Sequence, residues 1–184
     1  MIFQNDDAIM EKNLSRERVF DGIILHIDHV TNQLPNGKAA KREIAVHVGA
    51  SAVLPIDGDG NIYLVRQFRA PIDQILLEIP AGKLEKGEEP YSAALRELRE
   101  ETGGLADKLE YLGAYYGSAG FCDEKLDLYF ARLDSTGAAD PDEDEFLTVE
   151  RYPLADFEAM IARGEIADGK TLSAYTLARA AGWI

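Results

Sequence analysis

The sequence predicts an α+β fold in which a mixed sheet carries helices on its faces. Three observations lead there. Short apolar runs separated by turn signals fill the chain as far as Pro80, a helix with one apolar and one acidic stripe follows Gly82, and two further helical stretches close the chain. Strands and helices do not alternate regularly, which sets the chain apart from doubly wound parallel folds.

Residues 19–30 alternate in part through Ile23, Leu25 and Ile27 and read as a strand. LPNG at Leu34–Gly37 is a turn before a second run, Ile44–Val48. Ala50–Pro55 is apolar, and DGDG at Asp57–Gly60 makes a hairpin turn into IYLVRQFR. Ile75–Ile79 is a short strand ending at Pro80, Ala81 and Gly82. From Glu88 the chain reads as a helix of about three to four turns, with Ala93, Ala94, Leu95 and Leu98 as its buried stripe. Pro90 stands near its start, where the missing N–H costs nothing. Leu109–Tyr116 and Lys125–Leu133 are strands joined by the loop GSAGFCDE, and Asp134–Glu145 reads as a mobile acidic loop. Thr148–Tyr152 is the last strand, and Leu154–Arg163 and Thr171–Ala181 are helices broken by Gly164 and Gly169. One seam lies near Gly49. Residues 1–48 form a β-rich segment too poor in long apolar runs for a core of its own, and are expected to pack against a second copy of the chain. A homodimer that exchanges this segment is one form of that expectation. Residues 49–184 form the main domain.

With 184 residues and 46% hydrophobic content the chain can bury a sizeable core. A net charge of −14 argues against nucleic acid or an anionic membrane as partner, and no run approaches the length of a membrane span. The single cysteine, Cys122, suits a reducing cytoplasm, and the N-terminus carries no signal-peptide pattern. His26, His29 and His47 have no partners at zinc spacing.

The chemistry concentrates in GKLEKGEEPYSAALRELREETGG, from Gly82 to Gly104. Glu97, Glu100 and Glu101 stand at i, i+3 and i+4 and so share one helix face. Like charges at this spacing repel, and hard cations such as Mg2+ or Mn2+, which prefer oxygen ligands, resolve the conflict. Such ions polarise a phosphoryl oxygen, lower the pKa of a bound water and neutralise a leaving phosphate. Gly82 and Gly103 read as backbone devices, one turning the chain into the loop and the other ending the helix. Arg96 is a candidate to pair with a carboxylate and hold Glu100 or the loop. Glu88 would reach Arg96 from the same helical face if the helix began early.

The spacing Gly82–x5–Glu88–x7–Arg96–Glu97–Leu98–x–Glu100–Glu101–x–Gly103 resembles the Nudix hydrolase box. One position departs from it: Gly104 stands where the family has a bulky aliphatic residue. KREIAVHVGAS, LVRQFR, GSAGFCDE, DEDEF and GEIADGKT extend the resemblance to the ADP-ribose and nucleoside-diphosphate-sugar branch, with Ala119 where that branch usually has a proline. The resemblance implies a Nudix α/β/α sandwich preceded by the N-terminal β-rich segment. It also implies a pyrophosphohydrolase that splits ADP-ribose into AMP and ribose 5-phosphate or acts on ADP-glucose or GDP-mannose. Glu97, Glu100 and Glu101 would be metal ligands together with the Ala81 carbonyl, holding two or three Mg2+ or Mn2+ ions. A general base is expected in the acidic loop, Glu145 first and Glu143 second, with Glu124 as an alternative. Arg69 and Arg42 are the candidates to grip phosphate or ribose. Arg66, three residues before Arg69, would point to the opposite strand face. Phe20 is a possible base-stacking platform, or else a core phenylalanine. A non-catalytic nucleotide sensor and an acidic scaffold are the competing classes. The sensor would tolerate loss of Glu100 or Glu101, and both carboxylates are present, while the scaffold predicts no dependence on divalent cations.

Overall fold

Lys12–Asp21, His26–Gln33 and Ala39–Val46 form strands β1, β2 and β3 of an antiparallel sheet with β2 in the middle. The computed structural model describes residues 6–141 and 145–184. The strand expected over residues 19–30 is instead a hairpin. The Gly22 N–H donates to the Leu25 carbonyl at 2.9 Å, and Ile23, between them, is 97% exposed. Alternation misled here because aliphatic side chains at a hairpin tip mimic a buried stripe. Asp28 of β2 is buried and held from β1 by Arg16 at 2.5 Å and by Arg18. Arg18 and then Arg16 keep its carboxyl below the usual range. Cross-strand ion pairs thus organise a sheet whose β1 is exposed along its length. The loop Ser118–Glu124 belongs to the same contact unit as the strands up to His47. The Ala45 N–H donates to the Phe121 carbonyl (2.7 Å), and the Asp123 N–H donates to the Ala45 carbonyl (3.1 Å).

Val48–Gly117 and Lys125–Ile184 form the second unit. Its strands are Ala50–Ile56 (β4), Asn61–Arg69 (β5), Gln74–Glu78 (β6), Ala81–Lys83 (β7), Gly104–Leu105 (β8), Leu109–Tyr115 (β9), Leu126–Arg132 (β10), Ser135–Thr136 (β11) and Leu147–Pro153 (β12). Its helices are Pro90–Thr102 (α1), Leu154–Ala162 (α2) and Gly169–Ala181 (α3). The main sheet runs β12-β5-β4-β10-β9, with β6 on β5 and β7 on β4. Only β4 and β10 pair in parallel within it, so the sheet is mixed.

β4 is buried from end to end because both its faces are covered. Val53 meets Ala94 and Leu98 of α1 together with Tyr129 and Ala131 of β10. Ala52, Leu54 and Ile56 join Phe157 of α2 and Ala174 and Ala178 of α3. Each large apolar side chain buried this way contributes about 2 kcal/mol. The result is an α/β/α sandwich with α1 on one face of the sheet and α2 and α3 on the other. Gly104 sits in the α1 layer, and a Cβ there would meet Leu98 and Leu133 at 3.1 Å. Those two leucines fill the space that a larger residue at position 104 would need.

The acidic loop after β10 is less free than its composition suggested. Ser135–Thr136 pairs with β8, the Gly137 N–H donates to the Gly103 carbonyl (2.8 Å), and the Asp140 N–H donates to the Glu100 carbonyl (2.8 Å). The start of the loop is therefore stapled to the end of α1. Gly103 makes this possible. It ends α1 at φ 68°, with its N–H on the Arg99 carbonyl, and a Cβ there would stand 2.3 Å from the Gly137 carbonyl oxygen. Gly103→Ala combines a left-handed backbone with that clash and is expected to cost about 2 kcal/mol or more in urea unfolding. An unchanged midpoint would contradict the staple.

Candidate active site

α1 begins at Pro90, with Glu89 as its cap, so Glu88 lies before the helix and not on its face as an early start would have placed it. Arg96 reaches back to it instead. Its Nε and Nη2 donate to the two Glu88 oxygens at 2.9 and 3.0 Å, and Nη2 also donates to the Lys83 carbonyl at 3.3 Å. Its Nη1 donates to Glu97 at 2.6 Å and to Glu100 at 3.1 Å. Glu88 above all, with Glu97 and Glu100, raises the guanidinium pKa, and Arg96 in turn depresses that of Glu88. Arg96 thus spends every donor on carboxylates and backbone, which orients the acidic face and leaves none for a catalytic contact.

Glu97 and Glu101 point inward, and Glu101 is only 2% exposed. Glu101 accepts from the Ala81 N–H at 3.0 Å. Glu97 lies against Gly82, where a Cβ would fall 1.8 Å from its Oε1. Gly82 does not provide the expected tight turn. It sits in β7, and its missing side chain is what admits the carboxylate. Burial pushes the Glu101 carboxyl up to about 8, with Glu97 and Glu145 adding repulsion. Burial also raises Glu97, where Glu145 and Glu100 oppose Arg96. The charge of Glu145 therefore acts on both buried carboxylates. Glu143 lies outside the described residues.

Glu124 is in the N-terminal unit, 3.5 Å from His47 Nδ1. Arg42, in the same unit, is paired with Glu11. Phe20 is 55% exposed on β1, so the core reading for it does not hold. On β5, Arg66 pairs with Glu150 of β12 at 3.1 Å, while Arg69 forks onto Glu78 of β6 at 2.8 and 2.7 Å. Val65 stands opposite Glu78, and Leu64 opposite Glu150, which puts the two arginines on opposite faces.

Sequence reasoning missed Glu78, Asp168, Lys170 and Thr171. Glu78 is 1% exposed and takes both Arg69 and Lys170. Burial opposes its charge, but the two cations outweigh it and hold its pKa low. A lone acid inside the apolar run QILLEIP was the available signal.

Among the described residues no three His, Cys, Asp or Glu side chains already converge on one point. The donor set is nevertheless oxygen-rich and short of neutralising charge. Two buried carboxylates share one guanidinium and one N–H beside the end of a strand, which suits a hard divalent cation better than it suits protons or thiolate-seeking metals.

A sandwich whose central helix turns a row of carboxylates toward a strand end defines a Nudix-type domain. The family model described as NUDIX domain matches residues 45–175, and the chain belongs to that family. It is 45% identical over 166 residues to the ADP-ribose pyrophosphatase of Bacillus subtilis (strain 168), covering 89% of this chain and 90% of that protein. It is 42% identical over 166 residues to the methanol dehydrogenase activator of Bacillus methanolicus, with the same coverage of 89% and 90%. A crystal structure of an ADP compounds hydrolase superposes with a TM-score of 0.78 at 25% identity over 92% of each chain.

The raised carboxyls set a pH dependence for the metal-free protein. A carboxyl whose pKa is higher in the folded than in the unfolded chain favours folding while protonated and opposes it once ionised. Stability should therefore fall as pH rises from the ordinary carboxyl value of 4.5 toward about 8. Thermal melts in EDTA should show this decline, and Glu101→Gln should flatten it. A parent and variant with parallel profiles would contradict the assignment.

Proposed function

We propose that this chain hydrolyses the diphosphate linkage of ADP-ribose, giving AMP and ribose 5-phosphate, or that of a related nucleoside diphosphate sugar. The observation that carries the reading is the buried carboxylate pair Glu97 and Glu101 on α1, set against Ala81 and Gly82. The likeness to the Bacillus subtilis ADP-ribose pyrophosphatase favours ADP-ribose as the first substrate. Glu97, Glu100, Glu101 and the Ala81 carbonyl would hold two to three Mg2+ or Mn2+ ions. When bound, these ions polarise the phosphoryl oxygen and acidify a water. Glu145 takes the proton of the attacking water, a role supported by its charge reaching both buried carboxylates. Arg96 keeps Glu97 and Glu100 aimed, and Arg69 meets the ribose or phosphate beside Glu78. The lone thiol of Cys122 fits a reducing cytoplasm, and no helix among the described residues is long and apolar enough to cross a membrane.

Purified protein with Mg2+ should release AMP from ADP-ribose faster than it cleaves ADP-glucose, GDP-mannose or a dinucleoside polyphosphate. EDTA should abolish turnover, and Glu101→Gln should lower kcat by about a hundredfold or more. Silence on every substrate with Mg2+ and with Mn2+ would overturn the enzymatic reading. It would favour instead a role like that in the name of the Bacillus methanolicus relative, an activator of a partner enzyme.

We also propose a homodimer built on the N-terminal sheet. β1 is an edge strand, and Leu14, Val19, Phe20, Ile23, Ile24 and Leu25 on and beside it are exposed in the single chain. Sedimentation should give twice the 20.3 kDa chain mass, and Phe20→Asp with Ile24→Asp should halve it. A monomeric parent would overturn the dimer.

A further inference from the structure

Four consecutive residues, Glu78 to Ala81, lead from β6 to the start of β7, and each is fastened by a different partner. The Glu78 side chain is gripped by Arg69 at 2.8 and 2.7 Å and by Lys170. The Ile79 N–H donates to Thr171 Oγ1 at 2.9 Å. Pro80 has no N–H, and its carbonyl accepts from the Val53 N–H at 3.0 Å. The Ala81 N–H donates to Glu101 at 3.0 Å. Arg69, Val53 and Glu101 lie on elements close in sequence or already part of the core and the site. Thr171 and Lys170 come from the first turn of α3, about as far along the chain as the fold allows.

That first turn is built around one carboxylate. Asp168 caps α3 by accepting from the Thr171 N–H at 2.9 Å, and it also accepts from the Thr171 hydroxyl at 2.5 Å. Lys170 Nζ lies 3.2 Å from Asp168 while also meeting Glu78. Thr171 is wholly buried, and its hydroxyl uses both of its capacities, donating to Asp168 and accepting from Ile79. An isosteric methyl can do neither, and it leaves a buried N–H without an acceptor.

We propose that Thr171, oriented by Asp168, is a positioning residue for the metal site: it fixes the Ile79–Ala81 backbone and through it the register of the Ala81 carbonyl and of Glu101. This rests on the reading of Ala81 and Glu101 as metal-holding groups. The site thus depends on the N-terminus of α3, a helix that supplies none of its carboxylates. Without the hydroxyl, the Ile79 N–H loses its acceptor, and the segment between the Glu78 grip and the β4–β7 pairing keeps only the bonds at Pro80 and at the Ala81 N–H. Glu101 is then asked to hold the backbone and the ion at once.

The test is Mn2+ binding by electron paramagnetic resonance on folded protein without substrate, with thermal melts alongside. Thr171→Val should weaken Mn2+ binding by about tenfold or more, the effect typical of groups that orient metal ligands. Thr171→Ser, which keeps the hydroxyl, should bind within about twofold of the parent. Asp168→Ala loses a helix cap but leaves the core intact, and should weaken binding by about threefold. A purely structural role predicts lower melting temperatures with unchanged Mn2+ affinity in the folded state. Parent-like affinity in Thr171→Val overturns the proposal. Should that variant fail to fold, parent-like affinity in Asp168→Ala overturns it instead. A parent that itself binds no Mn2+ removes the metal reading and this inference together.

Discussion

The second unit is organised around an electrostatic conflict, two carboxylates placed where water cannot solvate them. Glu97 and Glu101 sit on the inward side of α1, and the burial that puts Ala94 and Leu98 into the core draws them in as well. Isolated ionised carboxylates in such a place are costly unless paired or bound to a cation. The fold supplies only partial relief. The Ala81 N–H serves Glu101, Arg96 serves Glu97, and Gly82 gives up its side chain so that Glu97 can lie against the backbone. Each of these is a positioning contact as much as a neutralising one. Arg96 in particular is shared among Glu88, Glu97 and Glu100, so one positive charge faces three negative ones.

That conflict was legible in the sequence because it obeys a local rule. The i, i+3, i+4 spacing of Glu97, Glu100 and Glu101 and the apolar stripe through Leu98 are helix-periodic, and helix periodicity survives in any tertiary setting. The DGDG turn and the continuous apolar run of β4 were legible for similar reasons. What stayed hidden was set by partners remote in sequence. Lys170 meets Glu78 across 92 positions, and Ile79 meets Thr171 across the same separation. GEIADGKT carried no periodicity to mark them. The reading of residues 19–30 erred in the opposite sense, since apolar alternation was present but marked a solvent-facing hairpin tip. Gly82 read as a turn residue because a missing Cβ and an unusual φ leave the same mark in sequence, whereas its place in β7 needs the missing Cβ alone.

The acidic loop shows how composition and connection differ. Its Gly, Pro and acid content says only that it cannot form a core. The bonds of Gly137 to Gly103 and of Asp140 to Glu100 tie its first residues to the end of α1, and the charge of Glu145 acts on both buried carboxylates.

The distribution of positive charge then constrains how a diphosphate could be held. The arginines singled out as substrate anchors are already matched, Arg42 with Glu11, Arg66 with Glu150 and Arg69 with Glu78, and Arg96 is taken by Glu88. Lys170 divides itself between Glu78 and Asp168. In a chain of net charge −14, these cations are committed to carboxylates before any phosphoryl charge arrives. Arg69 can turn a free N–H edge toward a ligand while keeping Glu78, which orients a phosphate or a ribose but does not neutralise a diphosphate. Divalent cations would supply the neutralisation, and burial has already raised the carboxyls of Glu97 and Glu101, which would gain by receiving them. Substrate affinity and protein stability would thereby be coupled through the same ions. A cation that compensated the diphosphate would also relieve the repulsion between Glu97 and Glu101, so the charge imbalance on α1 would be a condition of binding as well as a strain on the fold.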